Sequence, residues 1–272
     1  MNNLHRELAP ISAAAWASIE EEAVRTLKRY LAGRRVVDVA GPEGSVLSAI
    51  GTGHSRAIAT AGEGVMVRQR EVKPLIEISV PFELDREAID DVERGARDSD
   101  WQPLKEAARR IAFAEDSAIF EGYAAGGIEG IRAGTSNPIM ALPAGVPDYP
   151  EAIAEALNRL RLAGVNGPYS VLLGADAFTA LSEASDHGYP VLQHIRRLIE
   201  TEILWAPAIA GAVVMTTRGG DFCLHLGEDV SIGYTGHTDN AVRLYLRETF
   251  TFLMLTSEAA VALRPAGGAR KA

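Results

Sequence analysis

Four stretches place reactive side chains where they could do chemistry. Gly53-His54-Ser55-Arg56-Ala57 nearly matches the G-x-S-x-G elbow of a serine hydrolase. Such an elbow aims a nucleophilic hydroxyl from a sharp turn between a buried strand and a helix. "RRVVDVAGPEG", residues 34–44, sets a β-branched run, an internal acid and a glycine-rich turn in the order of a strand feeding a phosphate-binding loop. "DFCLHLG" holds Cys223, the only cysteine, two residues from His225. "SDHGYP" carries Asp186 and His187 in a polar turn.

The surroundings argue against catalysis at each. Ser55 lies in residues 48–72, a stretch rich in Gly, Ala and β-branched residues with a tight "GEG" near its middle. That composition predicts a long two-stranded arm with little core of its own, and no helix to complete the elbow. "GPEG" is not G-x-G-x-x-G and leads into the arm, while the later strands come in a run, not alternating with helices. A turn explains its glycines. One cysteine allows no internal disulfide. Phe222, Leu224 and Leu226 alternate with Cys223 and His225, which predicts a structural thiol on a strand. The six histidines (5, 54, 187, 194, 225 and 237) form no H-x-x-x-H or H-E-x-x-H pair, so no metal and no cofactor is expected.

Of the 272 residues, 47% are hydrophobic and 23% charged, as in a globular protein with a real core. No run approaches the ~18 apolar residues of a membrane span, and "MNNLHRELAPIS" lacks the apolar region of a secretory signal. A soluble, cytoplasmic protein is expected. The net charge of −9 speaks against nucleic-acid or anionic-membrane partners, which want a basic face.

The elements follow from periodicity. Ile19, Ala23, Leu27 and Leu31, with Trp16, trace one stripe of a helix over 13–32, capped by Ser12 and ended by Gly33 in a left-handed turn. The stripe is expected to be buried in the protein's own core, or else to form a groove for a partner. Ile76, Ile78 and Val80 mark a strand. Helices are expected over 86–96 and 102–121, the second with Leu104, Ala108, Ile111, Glu115 and Ile119 on one face. Further helices carry Ile153, Leu157 and Leu160, then 175–184, then "VLQHIRRLIETE". From Ile203 onward strands dominate, and Val242, Leu244, Leu246, Phe250, Phe252 and Met254 share one face by period two. A mixed α+β body with a long arm and no convincing active site describes a protein that works by assembling.

Many stretches together carry a family likeness: "LHRELAPIS" with Trp16, "RRVVDVAGPEG", "PLIEISVPFELD", "DDVERGA", "AFAEDSAIFEG", "NGPYSVLLG", "RGGDFCLHLGEDVSIGY" and "AVRLYLRETFTFL". In that order, over about residues 1–264, the chain resembles the family 1 encapsulin shell proteins, the linocin or bacteriocin-type encapsulating proteins. The resemblance implies an α+β fold like that of Hong Kong-type tailed-phage major capsid proteins. Its parts would be residues 1–47 (lumenal helix and start of a peripheral domain), 48–72 (extended arm), 73–134 (peripheral domain with a long spine helix), 135–223 (axial domain), 224–264 (return strands of the peripheral domain) and 265–272 (a loose tail).

The resemblance further implies a self-assembling, non-enzymatic subunit of an icosahedral shell of about sixty copies, the closed symmetry of such assemblies. The shell would enclose a dye-decolourising peroxidase or a ferritin-like protein bound through a C-terminal targeting peptide, in oxidative-stress and iron handling. It would be a cytoplasmic compartment, also found outside the cell without a signal peptide. By likeness to family tags, the peptide is expected on Leu27, Leu31, Arg34, Asp38, Asp229, Val230, Ile232 and Leu244, so that Asp38→Ala or Ile232→Asp would release cargo and spare the shell. Asp186 and His187 would line a pore at the fivefold axis. Some relatives stack a flavin on an aromatic residue where this chain has Arg86, so no flavin is expected. The alternatives are a phage or prophage major capsid subunit, which absorbance of packaged DNA would reveal, and a hydrolase using Ser55.

Overall fold

The computed structural model describes residues 3–199 and 201–265. The expected tail lies outside them from residue 266 on. Helix α1 spans Ala13–Tyr30, and Ser12 starts it by accepting the Ala15 amide on its Oγ at 3.2 Å. Ala15, Ile19 and Ala23 are buried, with Trp16 and Leu27 packed against the same cluster, so the stripe serves mainly the protein's own core. Gly33 does not end α1 in a left-handed turn, contrary to expectation. It opens a short 3-10 turn, Gly33–Arg35. It is glycine for room, since a Cβ there would stand 2.6 Å from Ile119 Cδ1.

The strand expected in "RRVVDVAGPEG" is only β1, Asp38–Ala40. Gly41 turns the chain with φ +103°, and a Cβ there would lie 2.4 Å from the Leu226 carbonyl oxygen. Residues 49–74 then form an antiparallel ribbon, β2 (Ala49–Ile58) and β3 (Val67–Pro74). Ser55 lies on it, its Oγ accepting a hydrogen bond from Arg68 Nε at 2.9 Å. A ribbon is the wrong setting for a nucleophile elbow.

The body continues through β4 (Ile76–Asp85), α2 (Arg86–Glu93) and α3 (Gln102–Phe120). Next come α4 (Ile131–Gly134), β5 (Met140–Leu142), α5 (Tyr149–Leu162), β6 (Tyr169–Leu173) and α6 (Ala175–Glu183). The hairpin β7 (Ser185–Asp186) and β8 (Tyr189–Pro190) leads to α7 (Val191–Arg196), β9 (Ile203–Trp205) and β10 (Ala212–Thr216). The chain closes on β11 (Phe222–Leu226), β12 (Ser231–His237), β13 (Ala241–Met254) and β14 (Ala260–Pro265).

These strands make two five-stranded sheets. In the first, β13 pairs antiparallel with β4, β12 and β11, and β1 joins β11 in parallel. The second has the order β5-β14-β10-β6-β9. The sheets cut the chain differently from the expected division at 223/224. β11 begins at Phe222 yet belongs to the first sheet, and β14 pairs with β10 inside the second. The reason is visible in β14: its run Ala260–Leu263 is buried at every residue, as a strand covered on both faces must be.

Two apolar cores result. One holds the inner face of α1, Leu104, Ala107, Ala108 and Ile111 of α3, and Val242, Leu244 and Leu246 of β13. The other holds the second sheet with α5, α6 and α7, Ala118–Phe120 of α3, and Phe250 and Phe252 of β13. α3 and β13 cross both. Where they cross the seam, each presents an acid: Glu115 and Asp116 on α3, Glu248 on β13, all three fully buried.

Candidate functional site

The 33–35 turn carries the chain past this seam, and its backbone is held there by Asp116. The Asp116 carboxyl accepts the Ala32 amide at 3.0 Å and the Gly33 amide at 2.9 Å. Burial pushes this group up to about 7, against the pull of those two amides. The turn delivers Arg34 between the elements. Its Nε donates to both Glu115 oxygens at 2.9 Å, Nη2 to Glu248 Oε2 at 3.0 Å, and Nη1 to Asp229 Oδ1 at 2.7 Å. One guanidinium thus faces three carboxyl groups, two of them buried and Asp229 about half exposed. Burial works against the Arg34 charge, but Glu115 and Asp229 outweigh it and raise its pKa. Burial, with the Glu115 carboxylate beside it, raises Glu248 well above the ordinary carboxyl range. Glu248 Oε1 is buried and meets no donor, which suits a carboxyl that carries a proton and donates it toward Glu115.

The residues expected to hold a peptide divide into three groups. Arg34 and Asp229 meet, as described. Leu27, Val230, Ile232 and Leu244 share the first core, but Ile232 is 6% exposed and Leu244 1%. Those two are floor, not contact surface. Ile232→Asp therefore cannot spare the fold as expected, because it puts an unpaired charge into a packed core. Leu27 and Val230 are half-buried and reach the surface, as does Leu31, whose amide closes α1 on the Leu27 carbonyl. Asp38 turns elsewhere. Its carboxylate accepts the Gly220 amide at 2.6 Å, and it lines a small cavity of about 100 Å³ with Arg35, Val37 and Thr216.

Sequence reasoning missed Glu115 and Glu248 as partners of Arg34, although both signals were in the pattern. Glu115 interrupts the apolar face of α3, and Glu248 takes the period-two position between Leu246 and Phe250. An acid on an apolar face that is buried must find a partner.

Asp186 and His187 lie at the β7–β8 turn. His187 adopts φ +47° ahead of Gly188 at +82°, the paired positive values of a tight hairpin. The His187 side chain is 97% exposed, 3.6 Å from Asp186 Oδ1. Behind the turn, Arg197 Nη2 donates to the Tyr189 hydroxyl at 2.8 Å. Arg86 starts α2, its amide donating to the Asn240 carbonyl at 2.9 Å. Cys223 is half-buried beside Asp38 on β1, and burial first, then that carboxylate, raises its pKa. Among the described residues no three His, Cys, Asp or Glu side chains are placed to hold a metal ion, and no helix is long and apolar enough to cross a membrane.

A family described as "encapsulating protein for peroxidase" matches residues 1–251. A type 1 encapsulin shell protein of Rhodococcus erythropolis is 63% identical across 97% of this chain and 100% of the relative. Among solved structures, a virus-like particle from Pyrococcus furiosus superposes with TM-score 0.63 at 16% identity, covering 92% of this chain and 99% of that one. The Gordonia phage Cozz gives TM-score 0.57 at 14% identity, covering 88% and 87%. The fold is therefore the Hong Kong-type phage capsid fold.

Proposed function

Because the chain belongs to the family of type 1 encapsulin shell proteins, we propose that it is the self-assembling, non-enzymatic subunit of an encapsulin nanocompartment. About sixty copies close an icosahedral shell. The shell encloses a cargo enzyme, a dye-decolourising peroxidase or a ferritin-like protein, in the cytoplasm, with a role in oxidative stress and iron handling. The observation that carries the assembly reading is the β2–β3 ribbon. A two-stranded ribbon is marginal in water by itself, yet this one displays Ile58, Val65, Met66 and Val72, with Met66 97% exposed. Such a ribbon makes sense when a second copy covers it.

The cargo's C-terminal peptide docks along the flank of α1, with Leu27, Leu31 and Val230 as apolar contacts and Arg34 and Asp229 as the polar edge. An extended peptide in such a groove takes alternate pockets for its side chains. Ile232 and Leu244 shape the groove from below. The β7–β8 turn borders a pore, where copies of Asp186 and His187 would ring the opening and favour cations.

Light scattering coupled to size exclusion tests the assembly reading. Sixty copies of 29.1 kDa give about 1.7 MDa. Val65→Asp with Met66→Asp, on exposed positions, is expected to shift the particle to small oligomers of folded chain. A native mass near 29 kDa, or a double variant that still closes at full size, would refute the arm's role.

A further inference from the structure

On its α3 flank, α1 borders a furrow of about 560 Å³. The two helices run parallel in strict register: Trp101 donates to Ser18, Lys105 meets Glu22, and Phe113 packs on Tyr30, all at an offset of 83 residues. Arg25 and Arg29 lie one turn apart on α1, and Lys105 and Arg109 one turn apart on α3. The register interleaves these four cations along about 10 Å of furrow, at 1.5 Å of rise per residue. Two acids accompany them, Glu22 and Glu106. Glu22 is already shared among Arg25, Lys105 and the Thr26 hydroxyl, and Glu106 accepts from Gln102. Arg29 and Arg109 have no carboxylate partner among the described residues. Each stands instead over an aromatic ring, Arg29 5.9 Å from the Tyr30 and Trp205 centroids and Arg109 5.9 Å from Phe113. Tyr30 joins Phe113 and Trp205 into one aromatic floor.

The local balance is thus positive in a chain whose net charge is −9. Two of the four cations are unpaired guanidiniums already braced on rings, which lowers the entropy lost when they grip a ligand. We propose that the furrow binds a linear, multiply charged phosphate anion, a triphosphate chain either free or attached to a nucleoside. A single phosphate would meet only one or two of the cations. A chain of them engages the whole row, and guanidinium forks match phosphate oxygens.

The test is isothermal titration calorimetry on the purified assembled protein with sodium tripolyphosphate, orthophosphate and ATP. Tripolyphosphate and ATP are expected to bind alike, at about one per chain, and orthophosphate at least tenfold more weakly. Arg29→Glu with Arg109→Glu is expected to weaken tripolyphosphate by roughly a hundredfold, about tenfold per charge-assisted contact. Both residues are exposed, so particle mass and thermal stability should be kept. Arg94→Glu, an exposed arginine on another surface, should bind as the parent does. Binding equal in parent and double variant, no saturable tripolyphosphate binding, or binding of ATP alone would each overturn the proposal.

Discussion

Replacing Glu248 by Gln should make the protein less sensitive to rising pH. In the fold this carboxyl is fully buried, its pKa raised by burial first and then by the Glu115 carboxylate. The unfolded chain releases the same proton near pH 4.3. Between those two values the native state holds a proton that the unfolded state has lost, so stability falls as pH rises through the interval. The loss is about 1.4 kcal/mol per pH unit for one proton. Gln keeps the neutral form permanently. Its carbonyl oxygen can accept from Arg34 Nη2, where Glu248 Oε2 now does at 3.0 Å, and its amide can donate to Glu115. Between pH 5.0 and 6.5 the parent should lose stability that Glu248→Gln keeps, at up to about 1.4 kcal/mol per pH unit while the native state holds the proton. For a chain of this size each kcal/mol is about 2–4 °C in Tm. Differential scanning fluorimetry of assembled particles at the two pH values measures it. Asp116, itself pushed up to about 7, titrates in parent and variant alike and cancels in the difference. A variant whose Tm tracks the parent in parallel across the interval would refute the reasoning that Glu248 is protonated in the fold.

Other perturbations separate the roles of neighbouring residues. Gly41→Ala should cost about 2 kcal/mol or more, since it forces a Cβ onto the Leu226 carbonyl at φ +103°; chemical denaturation reads the loss. Ile232→Asp should abolish soluble, folded protein. Val230→Asp, at a half-buried position, should leave particle mass unchanged and lower the amount of co-purifying cargo. Asp38→Ala removes the hydrogen bond to Gly220 and should cost about 1 kcal/mol. Cargo retention by that variant would separate Asp38 from the peptide groove.

Much of the fold was legible because its elements advertise themselves locally. Ser12 and the stripe through Ile19 and Ala23 marked α1, and the glycine-rich, coreless stretch marked the ribbon. Period-two alternation marked β13. What stayed hidden was set by long-range pairing. Nothing near Ala260–Leu263 says that β14 will enter the sheet of β10, since a fully buried strand has no alternation to read. Gly33 looked like a helix stop because glycine usually is one, whereas the space beside Ile119 decides it. The ionic cluster was not legible as one: Arg34 and Asp229 entered only as peptide contacts implied by the family resemblance, not as partners of each other. Glu115 and Glu248 stood out as acids on apolar faces, but their partner did not: only the crossing of α3 over β13 brings them to one guanidinium.

That crossing poses a question about what the cluster contributes. Removing Arg34 alone leaves two buried carboxyl groups without their cation, and Arg34→Ala should cost about 3–5 kcal/mol. Such a loss does not mean that the cluster stabilises the fold relative to an apolar seam. Three groups were taken out of water to make it, and their desolvation offsets most of the attraction. Replacing the three together, Arg34→Met, Glu115→Leu and Glu248→Leu, would join the cores above and below the seam into one. Asp229, about half exposed, would turn to solvent. The triple variant is therefore expected to melt at or above the parent's Tm at pH 6.5, and with a weaker fall from pH 5.0, because the Glu248 proton is gone. If the triple variant is instead as unstable as Arg34→Ala, the ion cluster supplies net stability. The seam would then be held by charge and not merely kept in register by it.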